Sequence, residues 1–209
     1  MPKIIELVCT GNHGRSPVAE LIAQYYLGEI GAFGEYKATS SGTSVDLIEK
    51  GQVPAKAMAG IIGIGKEREL YSADELKEID QAIRDGRDEI LRQYFLRASD
   101  LFSKEEHDYR TEAIKYFGIE GVVKEKSEQT IVRPDAVAVL SMAESNNRQV
   151  QKIYNNSDCN PVINVLSRFA TGNPDAALPD AFGKGKDEYF KTVELLREHV
   201  PMAIDRLIN

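Results

Sequence analysis

The chain opens on an apolar run. Ile4, Ile5, Leu7 and Val8 lie between Lys3 and Val8, and the run predicts a short buried strand. After a polar turn containing glycines, the period changes. Val18, Leu21, Ile22, Tyr25 and Tyr26 recur at helical spacing, with Ser16 suited to the N-cap, Pro17 to the first helical position and Gly28 to the end. Tyr36 to Thr43 predicts a second strand running into a loop at Gly42. Ala136 to Met142 predicts a third and Pro161 to Leu166 a fourth. A polar helix, "ESNNRQVQKIY", follows the third strand. After the fourth come a loop rich in Gly, Pro and Asp and a long terminal helix that Pro201 is expected to kink or divide. Strands alternating with helices predict an α/β fold: a four-stranded parallel sheet covered on both faces, with its ligand site beyond the carboxyl ends of the strands.

The middle of the chain breaks this rhythm. From Lys66 to Arg110 it is densely charged and holds two sequences of capping-box form, Ser72 with Glu75 and Ser103 with Glu106. Leu76, Ile79, Ile83, Ile90, Tyr94 and Phe95 form an apolar stripe behind the first, and Ala113, Ile114 and Phe117 follow the second. The expectation is a single domain, 1–209, with a charged helical insertion at about 66–112. Stripes of this kind need a surface to pack on, so the insertion is expected beside or over the mouth of the site. It is then a lid or substrate-selecting element, or else a dimer contact, or decoration.

A length of 209 residues allows one good core or two small ones, and 42% apolar residues suit a globular chain. The 33 acidic residues outnumber the 26 basic ones, which argues against a general nucleic-acid binder. No apolar stretch approaches the ~18 residues of a membrane span, and the start lacks the form of a signal peptide. Two cysteines, Cys9 and Cys159, fit a reducing compartment and make no zinc site by themselves. These features predict a soluble, cytoplasmic protein without metal or cofactor.

The chemistry concentrates in "VCTGNHGRSP", at the end of the first strand. A thiolate is a nucleophile, and a helix N-terminus with a nearby guanidinium favours it over the thiol. Five residues separate Cys9 from Arg15, enough for the backbone to wrap into a cradle of N–H groups that holds a tetrahedral oxyanion. Gly11 and Gly14 are expected to take backbone angles that other residues resist. Asn12 tolerates a left-handed conformation and can brace the loop with its amide. Arg15 can grip two oxygens in a fork, and Ser16 can donate to the sulfur. The pattern C-x5-R alone is weak, and a cysteine at a strand end is usually buried and inert. The strand before it, the glycines within it and the Ser-Pro helix start after it shift the reading to catalysis.

With these residues in view, the sequence resembles the low-molecular-weight protein tyrosine phosphatase family, whose motif V-C-x5-R-S-P stands here as Val8, Cys9, Arg15, Ser16 and Pro17. Ser40-Ser41-Gly42-Thr43 matches the family's second-strand motif, and Met142-Ala143-Glu144-Ser145-Asn146 its motif after the third strand. Asp180-Ala181-Phe182-Gly183 matches its acid loop, with a spacing most like the bacterial protein-arginine phosphatase branch. The resemblance covers about residues 1–60 and 112–209. It implies that Cys9 is the nucleophile and that Arg15 binds phosphate and stabilises the transition state. Asp180 is then the acid that protonates the leaving group and later activates water. Thr10, Gly11, Asn12, His13, Gly14, Ser16 and Phe182 are the implied substrate-binding residues, with Asn12 and Ser40 supporting the loop. The substrate would be a phosphorylated protein, on phosphotyrosine first and phosphoarginine second, or a small phosphoester.

Three departures from the family pattern stand out. The acid loop lacks its proline, Gly14 replaces a frequent second cysteine, and His13 replaces an aliphatic residue or a threonine. His13 is expected at the pocket entrance beside Phe182, gaining charge near its ordinary value of ~6.5. His107 and His199 are expected at the surface, and Cys159 as a plain core or loop residue. Two rival functions remain. An arsenate reductase-like enzyme needs resolving cysteines that Cys159 alone does not supply. A non-catalytic phosphate-binding module has no need of Cys9, Arg15 and Asp180 together.

Overall fold

The computed structural model describes residues 2–123 and 126–209. Four strands, β1 (Lys3–Cys9), β2 (Tyr36–Gly42), β3 (Ala136–Ser141) and β4 (Val162–Val165), form one parallel sheet in the order β2-β1-β3-β4. The apolar runs and crossover helices lead to this arrangement, and the α/β expectation holds. β1 is central, so its carboxyl end at Cys9 lies between neighbours on both sides. Side chains alternate across it. Ile5, Leu7 and Cys9 join the larger core, whereas Val8 packs on the opposite face with Val139, Val150 and Tyr154. The larger core is closed by α1 (Arg15–Glu29), α7 (Leu166–Thr171) and α8 (Lys186–Ile208), and the other face by α6 (Glu144–Tyr154).

Three details differ from the sequence expectation. Arg15, not Pro17, opens α1, whose N-cap is Gly14; Ser16 lies within the first turn with its hydroxyl directed to the site and does not cap the helix. Gly28 is inside α1, and the left-handed residue after the helix is Gly31. α8 is not divided at Pro201, because Val200, Ala203 and Ile204 around it are buried and their packing outweighs one lost backbone bond.

The middle segment contains a short α2 (Val45–Glu49), then α3 (Ala55–Glu67), α4 (Ala73–Asp85) and α5 (Asp88–Tyr116). Met58, Ile62, Tyr71, Ile79, Ala82, Leu91, Phe95, Ala98 and Phe102 form a second apolar cluster. That cluster begins in α3, earlier than residue 66. The Ser72–Glu75 capping box is formed: Glu75 N–H donates to Ser72 Oγ (3.3 Å) and Ser72 N–H to Glu75 Oε2 (2.7 Å). The Ser103–Glu106 box is not formed. Ser103 is exposed inside the 29-residue α5, because the buried positions Leu91, Phe95, Ala98, Phe102, Glu106 and Ala113 carry one helical stripe straight past it. Glu106 is the charged member of that stripe.

Candidate active site

The loop Thr10–Gly14 joins β1 to α1 and wraps around the sulfur of Cys9. Cys9 Sγ accepts from the backbone N–H of Asn12 (3.2 Å) and lies 3.0 Å from the Ser16 hydroxyl. Asn12 is left-handed, with φ 55°. Its Nδ2 donates to Ser16 Oγ (3.1 Å) and Ser40 Oγ (3.0 Å), and its Oδ1 accepts from Glu128 N–H (2.9 Å). Ser40 Oγ in turn donates to Glu20 Oε2 (2.6 Å). A buried polar chain thus runs from Glu20 through Ser40, Asn12 and Ser16 to the sulfur and fixes the loop before any ligand arrives. Thr10 is exposed, and its Oγ1 accepts from Nδ2 of the buried Asn146 (3.1 Å). β2 comes so close that a Cβ at Gly42 would lie 2.7 Å from Thr10 O and 2.8 Å from Asn12 N. Only glycine fits there.

Gly11 and Gly14 do not take the left-handed backbone expected of them, which in this loop belongs to Asn12. At position 14 the absent side chain leaves room for Glu106. The φ of Gly14 is an ordinary −99°, but a Cβ would fall inside the Glu106 carboxyl, 2.8 Å from Oε2 and nearer still to Cδ and Oε1.

Arg15 is buried, with its Nη2 3.2 Å from Asp180 Oδ1. Its Nη1 is buried without a hydrogen-bond partner among the described residues, a donor held in reserve. Asp180 is exposed, on the loop between α7 and α8. The loop that carries Asp180 is held from both sides. Ala181 is buried in the larger core, while Phe182 packs edge-on against Phe102, ring centroids 5.8 Å apart. Arg68 grips Glu105 through two bonds (2.6 and 2.8 Å), lies 5.0 Å from the centre of the Phe102 ring, and reaches Gly183 O at 3.4 Å. The helices of the middle segment therefore hold the Asp180 loop.

The same segment reaches the cysteine loop. Arg110 on α5 donates to His13 O, and Tyr189 Oη on α8 lies 3.4 Å from Gly14 O. Glu106 sits among these groups. Burial pushes its carboxyl up to about 7; Arg15 and Arg110 pull it down less strongly, and Asp180 adds to the rise. Sequence reasoning missed Glu106, Arg110, Arg68 and Phe102. The available signal was a carboxylate in an apolar stripe, which the apparent capping box at Ser103 disguised.

The histidines need correcting. His13 and Phe182 have different neighbours. His13 lines a cavity of about 210 Å³ with Val45, Ile48, Glu49, Lys126 and Ser127, and its Nδ1 is 3.3 Å from Ser127 Oγ. Burial, and then Arg110, lower its pKa below the ordinary value, so charging near pH 6.5 is disfavoured. His107 is exposed, but His199 is buried in α8 and is not a surface residue. Cys159 is a free, half-buried cysteine packed on the Val8 side of the sheet. Among the described residues, no group of three or more His, Cys, Asp or Glu is placed to hold a metal, and no helix is long and apolar enough to cross a membrane.

The fold that carries this loop is found in known proteins. The family model of the low molecular weight phosphotyrosine protein phosphatases matches residues 4–95. The solution structure of a low molecular weight protein tyrosine phosphatase from Bacillus subtilis superposes with a TM-score of 0.57 at 18% identity, covering 98% of this chain and 96% of that one. The YwlE arginine phosphatase of the same organism, as a mutant with a phosphorylated active-site serine, gives 0.56 at 17% identity over 98% and 95%. A low molecular weight phosphotyrosine phosphatase from Vibrio cholerae O395 gives 0.56 at 15% over 97% and 95%. At such identities the superpositions establish the shared fold. No curated protein matches the chain in sequence.

Proposed function

We propose that the chain is a member of the low molecular weight phosphotyrosine protein phosphatase family, phosphoric monoester hydrolases whose model matches residues 4–95, and that it hydrolyses protein phosphotyrosine or a related phosphoester through a phosphocysteine intermediate. The observation that carries the reading is the sulfur of Cys9 at the centre of the loop, under the Asn12 N–H and the Ser16 hydroxyl, with a spare buried donor on Arg15. Both hydrogen bonds fix the sulfur in place as the nucleophile. The loop amides and the Arg15 fork hold the phosphoryl oxygens in line with the sulfur and stabilise the charge that spreads over them. Sulfur attacks phosphorus and the bond to the leaving oxygen breaks, with Asp180 giving that oxygen its proton. Water then attacks the phosphocysteine, Asp180 takes the water's proton, and phosphate leaves with the thiolate restored.

Asp180, exposed at the mouth, also supports a second reading, in which the leaving group is cationic, as the guanidinium of phosphoarginine is. Turnover of para-nitrophenyl phosphate, of a phosphotyrosine peptide and of a phosphoarginine peptide tests both readings together. Cys9→Ser should lower kcat on every substrate by at least about 10³-fold. Asp180→Asn should cost roughly 10²-fold or more on poor leaving groups and far less on para-nitrophenol. Substantial turnover by Cys9→Ser overturns the assignment, and an even loss in Asp180→Asn makes another group the acid.

A further inference from the structure

Glu106 lies outside every motif that carries the resemblance to the family, yet its carboxyl touches the cysteine loop. It comes from α5, about ninety residues beyond the loop in sequence. It occupies the space over Gly14 that any side chain at that position would enter. Glu106 is 9% exposed, and its carboxyl faces Arg15 and Arg110 through charge alone, with no side-chain hydrogen bond to either. A carboxyl kept only for structure would be paired, because a buried unpaired one destabilises the fold. Every element around it presents a charged or titratable group. These are Arg15 on α1, Asp180 on the acid loop, Arg110 one turn along α5 and Tyr189 on α8, with Cys9 at the end of β1. A site built for a phosphate dianion tolerates a second acid beside Asp180 only if that acid is neutral when the dianion is bound.

We propose that Glu106 is a working group of this site: a carboxylic acid that must be neutral for the oxyanion to bind and whose ionisation expels it. The proposal rests on the loop being a phosphate cradle, and it makes the insertion the source of a group that sets the pH range over which the cradle is filled. Protonated, Glu106 presents no charge to the ligand. Ionised, it adds a negative charge against the loop, and the dianion leaves. The effect falls on substrate affinity, in KM and not in kcat, which separates it from the proton transfer assigned to Asp180.

The test uses sulfate, whose charge is constant over the working range, in Cys9→Ser protein so that no thiol titrates. Affinity is measured by calorimetry at about pH 6.5 and about pH 8.5, and the Glu106→Gln protein, carrying the same His13, subtracts the contribution of any other group that titrates in this range. With Glu106 present, binding should weaken at least tenfold across this range, whereas Glu106→Gln should change it by less than about twofold. Gly14→Ala provides an independent arm, since its methyl must displace the carboxyl, and it should flatten the profile too. In the unmodified enzyme, KM on para-nitrophenyl phosphate should rise in parallel with little change in kcat. Equal pH dependence with and without Glu106, or an unflattened profile in Gly14→Ala, overturns the proposal while the cradle stands. Absence of sulfate binding at either pH overturns the cradle reading, and this proposal with it.

Discussion

The cysteine loop and the middle helices meet at Gly14 but are built differently. The loop is held by short polar contacts among Cys9, Asn12, Ser16, Ser40 and Glu20, from β1, α1 and β2. The middle segment is held by its own apolar cluster from Met58 to Phe102. The loop is thus rigid through directional bonds that survive small shifts elsewhere. The middle segment positions Glu106, Arg110 and Phe102 only as accurately as its side chains pack. Anion binding should therefore depend on the first region, and acid placement and pH range on the second.

The strongest way to break this division is Phe102→Ala. Phe102 is fully buried, meets Phe182 edge-on and lies against Gly183. Its loss should cost about 3–5 kcal/mol of stability in urea unfolding. Below the unfolding midpoint, turnover of poor leaving groups should fall well below that of para-nitrophenyl phosphate, because the acid loop loses its packing partner. Sulfate affinity at about pH 5.5, where Glu106 is neutral, should stay unchanged. If affinity falls in step with turnover, the two regions are one cooperative unit and the contrast fails.

Glu106→Gln sharpens the comparison through stability. In the folded protein the carboxyl is raised from an ordinary 4.5 to about 7. The native state therefore holds a proton that the unfolded chain has released between these values, and stability declines as pH rises through that window. Below about pH 4.5 the group costs nothing by this route, and above about 7 the full cost is on the order of 3 kcal/mol at ~1.4 kcal/mol per unit. Glu106→Gln should thus melt higher than the parent at pH 8, with the gap closing toward pH 5. A gap of constant size would show that the variant acts through packing alone.

The contrast also explains what the sequence could reveal. The sheet order follows from apolar runs alternating with helices, and Cys9, Asn12, Arg15 and Ser16 come together because they are within eight residues of each other. Local chemistry leaves a local trace. Asp180 could be placed only by its likeness to a known acid loop, since an exposed Asp in a loop has no physical mark of its own. Ser103 and Glu106 satisfied a capping rule by spacing alone, and helix α5 overrode it because the apolar stripe on both sides gains more by continuing than one cap would return. Glu106, Arg110 and Arg68 act across long separations, and nothing local in sequence records whom they meet. His199 was misread for a similar reason: charged neighbours in sequence lie on the far side of α8 from its buried face.

The smallest effect comes from the formed cap, Ser72. Its hydroxyl accepts from Glu75 N–H, and Glu75 returns a bond to Ser72 N–H while Arg97 holds the same carboxylate at 2.7 Å. Arg97 in turn lies 4.9 Å from the centre of the Tyr71 ring, so the cap is tied to the apolar cluster of the middle helices and not to the cysteine loop. Ser72→Ala removes one acceptor at the start of α4 and should cost about 1 kcal/mol in urea unfolding. Ile79 and Ala82 remain buried behind it, so α4 keeps its seat. Since α4 contributes no group to the site, kcat, KM and the pH dependence of sulfate binding should match the parent within error. If that small loss of stability shifts the pH profile, the packing of the whole middle segment sets the position of Glu106, and α5 alone does not fix it.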